Sequence, residues 1–252
     1  MSKRSIGALV IGDEILVGKR HDKHFPFLID ALAKRGLRLA FCGFHGDDPE
    51  RLTKTLEQSF AAGDIVFGFG GIGATPDDHT RQCVAAALGV PLKLHPEAER
   101  EIRARFPGVE ATPSRLAMGE FPEGSDVIPN PLNRIPGFSI RDHHFVPGFP
   151  QMAHPMIEWV LDAKYRQLFD RDKWTEDSIL VFEAGESQLV HVMESVGASF
   201  PGVKVFSLPS MGPGGARRHI ELGVRGDPGQ VPGAMDALRA GVRDSGAPFR
   251  ER

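Results

Sequence analysis

Residues 68–80 read GFGGIGATPDDHT and follow directly on the apolar run DIVFGF. A glycine-rich turn between the end of a strand and the start of a helix leaves backbone N–H groups pointing outward. With the helix dipole these form an anion site, and glycine lets a ligand approach the backbone closely. Gly70, Gly71 and Gly73 stand at that place, with Ile72 between them and Thr75 just beyond. The spacing is neither GxGxxG with an acid about 20 residues on nor a loop ending in Gly-Lys-Ser/Thr, so the dinucleotide fingerprint and the Walker loop are excluded.

Carboxylates gather at the same edge. Asp77 and Asp78 follow the glycines, Asp47 and Asp48 in FHGDDPE end the preceding strand, and Gly12, Asp13 and Glu14 in IGDEIL end the first. Beside a phosphate such acids repel the ligand unless a cation lies between them, and Mg2+ typically combines one or two carboxylates with phosphate oxygens. Aspartate is equally a favoured helix cap, and Asp48 before Pro49 and Asp77 after Pro76 occupy capping positions. On spacing alone both readings stand.

The elements that must position these residues alternate. IGALVIG reads as a strand ending at Gly12, and Phe25, Leu28, Ile29 and Leu32 recur at helical steps between Asp22 and Arg35, closed by Gly36. LRLAFCGF is the next strand, and a helix from Asp48-Pro49 carries Leu52, Leu56 and Phe60 on one face. DIVFGF is the third strand, and PDDHTRQCVAAALG is read as a helix opening at Pro76 and closing at Gly89. Three strand–helix repeats imply a parallel sheet with right-handed crossovers. Beyond residue 90 a charged helix, PEAEREIRARF, precedes short strands in SDVIPNPLNRIPGFSI and HHFVPGFP. A helix in QMAHPMIEWVLDAKYRQLF puts Met152, Met156, Trp159 and Val160 on one side. The charged stretch DRDKWTED reads as a linker to a small α+β domain, giving domains at 1–168 and 175–252.

Composition narrows the function. The formal charge of -3 gives no global electrostatic reason to bind nucleic acid or an anionic membrane. Cys42 and Cys83 lack metal or redox spacing. The N-terminal apolar run is too short for a secretory signal, and no stretch approaches the roughly 20 apolar residues needed to cross a bilayer. These features predict a cytoplasmic protein.

IGDEILVGK at 11–19, GDDPERL at 46–52, GGIGATPDDHT at 70–80 and ALGVPL at 87–92 together resemble the MoaB/MogA molybdopterin-binding domain, in the form found at the N-terminus of CinA, the competence/damage-inducible protein. NPLNRIPGF and HHFVPGFPQM are similar to the family's Asn-Pro, Pro-Gly-Phe and Pro-Gly-x-Pro succession, and GESQL with FPGVKVFSLPS resembles the small domain that follows in CinA-type proteins. The resemblance covers about residues 4–165. The deamidase domain of full-length CinA has no counterpart in this sequence. The resemblance implies a three-layer α/β/α domain with a mostly parallel sheet, a homo-oligomer, and a phosphate-bearing pterin or adenine nucleotide bound at the loop with Mg2+. The implied catalytic residues and metal ligands are Asp47 and Asp78. The implied ligand contacts are Gly12, Asp13, Glu14, Gly70, Gly71, Ile72, Gly73, Thr75, Thr80, Asn130 and Arg134. The implied activity is Mg2+-dependent hydrolysis of a nucleotide pyrophosphate such as ADP-ribose, with adenylyl transfer to molybdopterin or ligand binding without catalysis as alternatives.

Two departures from the family pattern stand out. His24 replaces an Asn in HDKH, and PLNRI at 131–135 replaces small residues, introducing Asn133 and an Arg134 that is able to pair with a phosphate. Elsewhere, His79 is a candidate acid–base group, though a loop or helix-surface histidine is more often simply solvated. MGPGGARR reads as a hairpin connection or a second phosphate loop with Arg217 and Arg218. Adjacent His143 and His144 point to opposite faces of a strand and so do not chelate together.

Overall fold

A computed structural model describes residues 4–106, 112–170, 174–211 and 217–252. The chain divides between Phe169 and Asp170 into two compact units. In the first, β1 (Ile6–Ile11), followed by the short α1 (Asp13–Leu16), lies between β2 (Phe41–His45) and β3 (Ile65–Phe69), the three strands all parallel. The sheet continues through β8 (His143–Val146), parallel to β3, and then β7 (Gly137–Ile140) and β6 (Asp126–Ile128), which turn antiparallel. A separate pair joins β4 (Leu92–Leu94) to β5 (Glu120–Pro122).

Both faces of the six-stranded sheet are covered, which is why its central strands read as unbroken apolar runs. Ala8, Val10, Phe67 and Phe69 pack on one side against α2 (His24–Ala33) and α7 (Pro150–Lys164). Leu9, Ile11, Val66 and Phe145 pack on the other against α3 (Pro49–Ala62) and α4 (Thr80–Leu88). Burying a phenylalanine such as Phe67 or Phe145 contributes about 1.5–3 kcal/mol, and both are fully buried. α5 (Pro96–Arg105) follows β4, and the short α6 (Pro113–Ala117) precedes β5. The three-layer α/β/α arrangement with a mostly parallel sheet is the one expected.

Four local expectations are corrected. β2 begins at Phe41, because Leu37 leaves the strand path to bury itself in the core. α4 begins at Thr80 rather than Pro76, because residues 75–78 form a turn of their own, with Asp78 N donating to Thr75 O at 3.0 Å. On α7, Ala153, Met156, Ile157, Val160 and Leu161 make the buried face and Trp159 is exposed. The stretch read as a linker already enters a strand at Thr175, and its residues 171–173 lie outside the described residues.

The second unit runs β9 (Thr175–Phe182), α8 (Glu186–Ser199), β10 (Val203–Ser210), β11 (His219–Gly226), α9 (Val231–Asp244) and β12 (Phe249–Glu251). Its antiparallel sheet has the order β10-β11-β9-β12. Ile179, Val181, Leu222 and Val224 pack against Leu189, Val192, Met235 and Leu238 of its two helices. β10 and β11 pair antiparallel from Val203–Gly226 to Ser210–His219; the Gly-rich segment read as a hairpin connection or a second phosphate loop has its residues 212–216 outside the described residues.

Candidate functional site

The carboxyl ends of β1, β2, β3 and β8 open into one cleft of about 360 Å³. The Gly70–Thr75 loop forms its floor, with Gly12 and Glu14 on one side, Asp47 beside them, and Pro147, Gly148 and Phe149 opposite. Two positions explain why the loop must be glycine. Gly70 has φ 102° and Gly71 φ 68°, both in the left-handed region. A Cβ on Gly70 would overlap the Ile11 carbonyl oxygen, and one on Gly71 would overlap Thr80 Oγ1.

Thr80 closes the loop from beneath. Its hydroxyl donates to Gly70 O at 3.0 Å and its N–H donates to Gly71 O at 2.9 Å, with the side chain fully buried. Thr80 therefore shapes the loop and does not itself line the cleft. Asp78 turns back on the loop: Thr75 N–H donates to its Oδ2 at 2.9 Å, and the Thr75 hydroxyl donates to the same oxygen. A hydrogen bond from Thr75 also holds the exposed Asp77 carboxyl below the usual carboxylate range. Among the described residues, the N–H groups of Gly71, Ile72, Gly73 and Ala74 donate to no protein acceptor. Four successive amides without a protein acceptor, all lining the cleft at a strand end, are the kind of donor set that an anion takes.

The ends of β1 and β2 are clipped together by a reciprocal pair: Asp13 N–H donates to Asp47 Oδ2 at 2.9 Å and Asp47 N–H to Asp13 Oδ1 at 3.2 Å. Asp13 thereby orients Asp47 from outside the cleft lining. Partial burial raises the Asp47 pKa, and the neighbouring carboxylates of Asp13, Glu14 and Asp77 push it the same way. Asp48, by contrast, caps α3, accepting from Arg51 N at 2.7 Å.

The 130–135 segment splits its roles. Asn130 is buried and holds the turn, donating to Ile135 O at 2.9 Å and accepting from Leu132 N at 3.0 Å. Asn133 and Ile135 face the cleft, but Arg134 does not. Arg134 adopts φ 63° and pairs with Glu101 at 3.0 Å, so the phosphate partner expected there is engaged elsewhere. His143 and His144 do point apart, the first to Ser59 Oγ at 2.7 Å and the second to Ser139 Oγ at 2.8 Å and Tyr165 OH at 2.6 Å.

Two residues have roles that the sequence did not announce. Arg81 is buried under the loop and donates to Gly73 O at 2.6 Å and to the Ala117 carbonyl, with its charge beside Asp78 and its pKa lowered by burial. Its position after Thr80 was visible, but its acceptors converge only in the fold. His24 stacks on Phe69 at 4.5 Å and its Nε2 donates to Gly148 O at 3.1 Å, bracing the loop and the facing wall at once.

As for a metal, the groups facing the cleft from Asp47 and Asp78, with Glu14 and Asp77, are hard carboxylate oxygens of the kind Mg2+ takes. Among the described residues, no cluster of three His, Cys, Asp or Glu side chains is arranged to hold a metal by itself. Such a cation would draw its remaining ligands from phosphate oxygens and water.

No helix among the described residues is long and apolar enough to cross a membrane. A CinA-like protein from Anaeromyxobacter sp. (strain K) is 37% identical over 195 residues, spanning 75% of this chain and 47% of that protein. Another from Anaeromyxobacter dehalogenans (strain 2CP-1) is 34% identical over the same length and shares. The chain thus spans about half the length of the curated relatives it matches. Among solved structures, CinA from Thermoplasma acidophilum, described as of unknown function, superposes with TM-score 0.59 at 23% identity, covering 65% of this chain and 99% of that one, and so shares the fold. The family model described as "Probable molybdopterin binding domain" matches residues 7–167, from β1 to the turn after α7 and across every residue of the cleft. The chain belongs to this molybdopterin-binding domain family.

Proposed function

We propose that the cleft binds a phosphate-bearing pterin or adenine nucleotide and that, with Mg2+, it hydrolyses a nucleotide pyrophosphate such as ADP-ribose. The observation that carries this reading is the run of unpaired amides from Gly71 to Ala74 sharing one cleft with Asp47 and Asp78. The amides receive the anionic phosphate oxygens, and their fixed orientation stabilises the extra charge that develops during attack. Asp47 and Asp78 would hold the cation, which when bound supplies charge neutralisation at the phosphates. The Asp13 clip and the Thr75 bonds hold these two carboxylates in place before ligand arrives. In the reaction, a water oxygen bonds to phosphorus and the bridging P–O bond breaks, the bridging oxygen leaving on the other phosphate, to give AMP and ribose 5-phosphate, whose two new phosphate ionisations release the water's two protons.

The family match favours one second reading, adenylyl transfer to molybdopterin, which needs the same amides and acids. The test is AMP release from ADP-ribose, FAD and ATP, with and without Mg2+. Metal-dependent release from one of them is expected. No release from any, together with adenylylation of molybdopterin from ATP, would establish transfer instead.

A further inference from the structure

Among the described residues, Arg20 is the only cationic side chain that lines the cleft. It stands over the ring of Phe149, its guanidinium carbon 5.7 Å from the ring centroid. Its carboxylate contact, Glu14, is 3.8 Å away, and the Arg20 side chain is 60% exposed. Phe149 is 53% exposed although it is a large aromatic residue at the mouth of a cleft. Its backbone is nonetheless fixed. Its carbonyl accepts from Met152 N at 3.0 Å and Ala153 N at 2.9 Å at the start of α7, and the Gly148 carbonyl just before it is held by His24. An aromatic ring on a hydrogen-bonded backbone therefore meets a loosely held planar cation.

Binding a phosphate on the loop amides leaves the Phe149 ring unused. A planar heterocycle uses both the ring and the guanidinium, since aromatic faces stack on bases and guanidinium planes stack on aromatic rings. A flat ring lying between two others needs roughly 7 Å, twice a contact distance of about 3.5 Å. The present separation falls about 1 Å short of that, a shift within reach of an exposed arginine. Ile135 and Met152 add apolar lining to the same cleft.

We propose that Phe149 and Arg20 form the subsite for the planar heterocycle of the ligand, which stacks on Phe149 and is covered by Arg20 while the phosphate occupies the loop. This rests on the reading of the cleft as a phosphate site, and it assigns the preference for ring-bearing phosphates to two residues outside the Gly70–Asp78 loop.

Calorimetric titration of the full chain with AMP and with ribose 5-phosphate, which differ by the base alone, tests it. The wild type is expected to bind AMP about tenfold more tightly. Phe149→Leu should bring that ratio near one while changing ribose 5-phosphate affinity by less than about twofold, Phe149→Trp should keep it, and Arg20→Gln should lower it by about threefold. Equal affinities in the wild type, or a Phe149→Leu loss shared equally by both ligands, would overturn the subsite and leave the phosphate reading intact. If the wild type binds neither compound, the phosphate reading itself falls and the subsite with it. Should Phe149→Leu fail to fold, as judged by its circular dichroism, the Trp and Arg20 variants decide alone.

Discussion

Asp47-Asp48 and Asp77-Asp78 are the same dipeptide, each following a strand of the same sheet, the edge strand β2 and the inner strand β3, yet the structure uses them differently. At the end of β2 the two carboxylates part company: Asp48 caps α3 while Asp47 faces the cleft, clipped to Asp13. At the end of β3 neither caps a helix. α4 begins only at Thr80, and both Asp77 and Asp78 line the cleft, with Thr75 as their shared donor. The difference lies in the loop length before the helix. After β2 the helix starts at once on Pro49, so an aspartate falls on the N-cap. After β3 the glycine loop carries its own turn before the helix can begin, which leaves both aspartates lining the cleft instead of capping α4.

Substitutions can break or sharpen this contrast. The largest effect on stability is expected at the glycine loop. Gly71→Ala must place a side chain at positive φ against Thr80 Oγ1, and should cost about 3 kcal/mol in urea unfolding at equilibrium. A cost under about 0.5 kcal/mol would show that the loop relaxes and that its shape is not enforced by Thr80. Next comes the cap: Asp48→Ala should cost about 1 kcal/mol, whereas Asp77→Ala, which removes no cap, should leave stability within about 0.5 kcal/mol. Equal losses in the two would erase the distinction between the pairs.

The smallest effect has the opposite sign. Asp47 has a raised pKa, from partial burial first and neighbouring acids second. The folded state then holds the Asp47 proton better than the unfolded state does, so the ionised carboxylate opposes folding at neutral pH. That penalty disappears as the pH falls below the ordinary carboxylate range. Asp47→Asn keeps an oxygen for the Asp13 N–H and relieves the repulsion. It should raise Tm by about 1–2 °C at pH 7 and leave it unchanged near pH 3. A lowered Tm at pH 7 would mean that the clip to Asp13 depends on the charge.

Much of this was legible in the chain. Apolar runs set the strands of the sheet, Pro49 after Asp48 set the start of α3, and the acids at successive strand ends pointed to one edge. What stayed hidden was non-local. Pro76 followed by two acids has the look of a helix start, and only the closure of Thr80 on Gly70 moves that start four residues on. Nothing near Arg81 in the sequence announces that Gly73 and Ala117 supply carbonyls to its guanidinium. Arg134 seemed poised for phosphate until its left-handed backbone turned it to Glu101. Each miss concerns where a backbone turn aims a side chain, which composition and period do not encode.

The most direct test of the account compares Mg2+-dependent AMP release from ADP-ribose by the wild type, Asp78→Asn and Asp48→Asn. Asparagine still caps a helix, so Asp48→Asn should retain the rate within about twofold, while Asp78→Asn should lose it by about 100-fold or more. Equal turnover by Asp78→Asn and the wild type, or equal loss in both variants, would contradict the assignment of the cleft to the acids that do not cap.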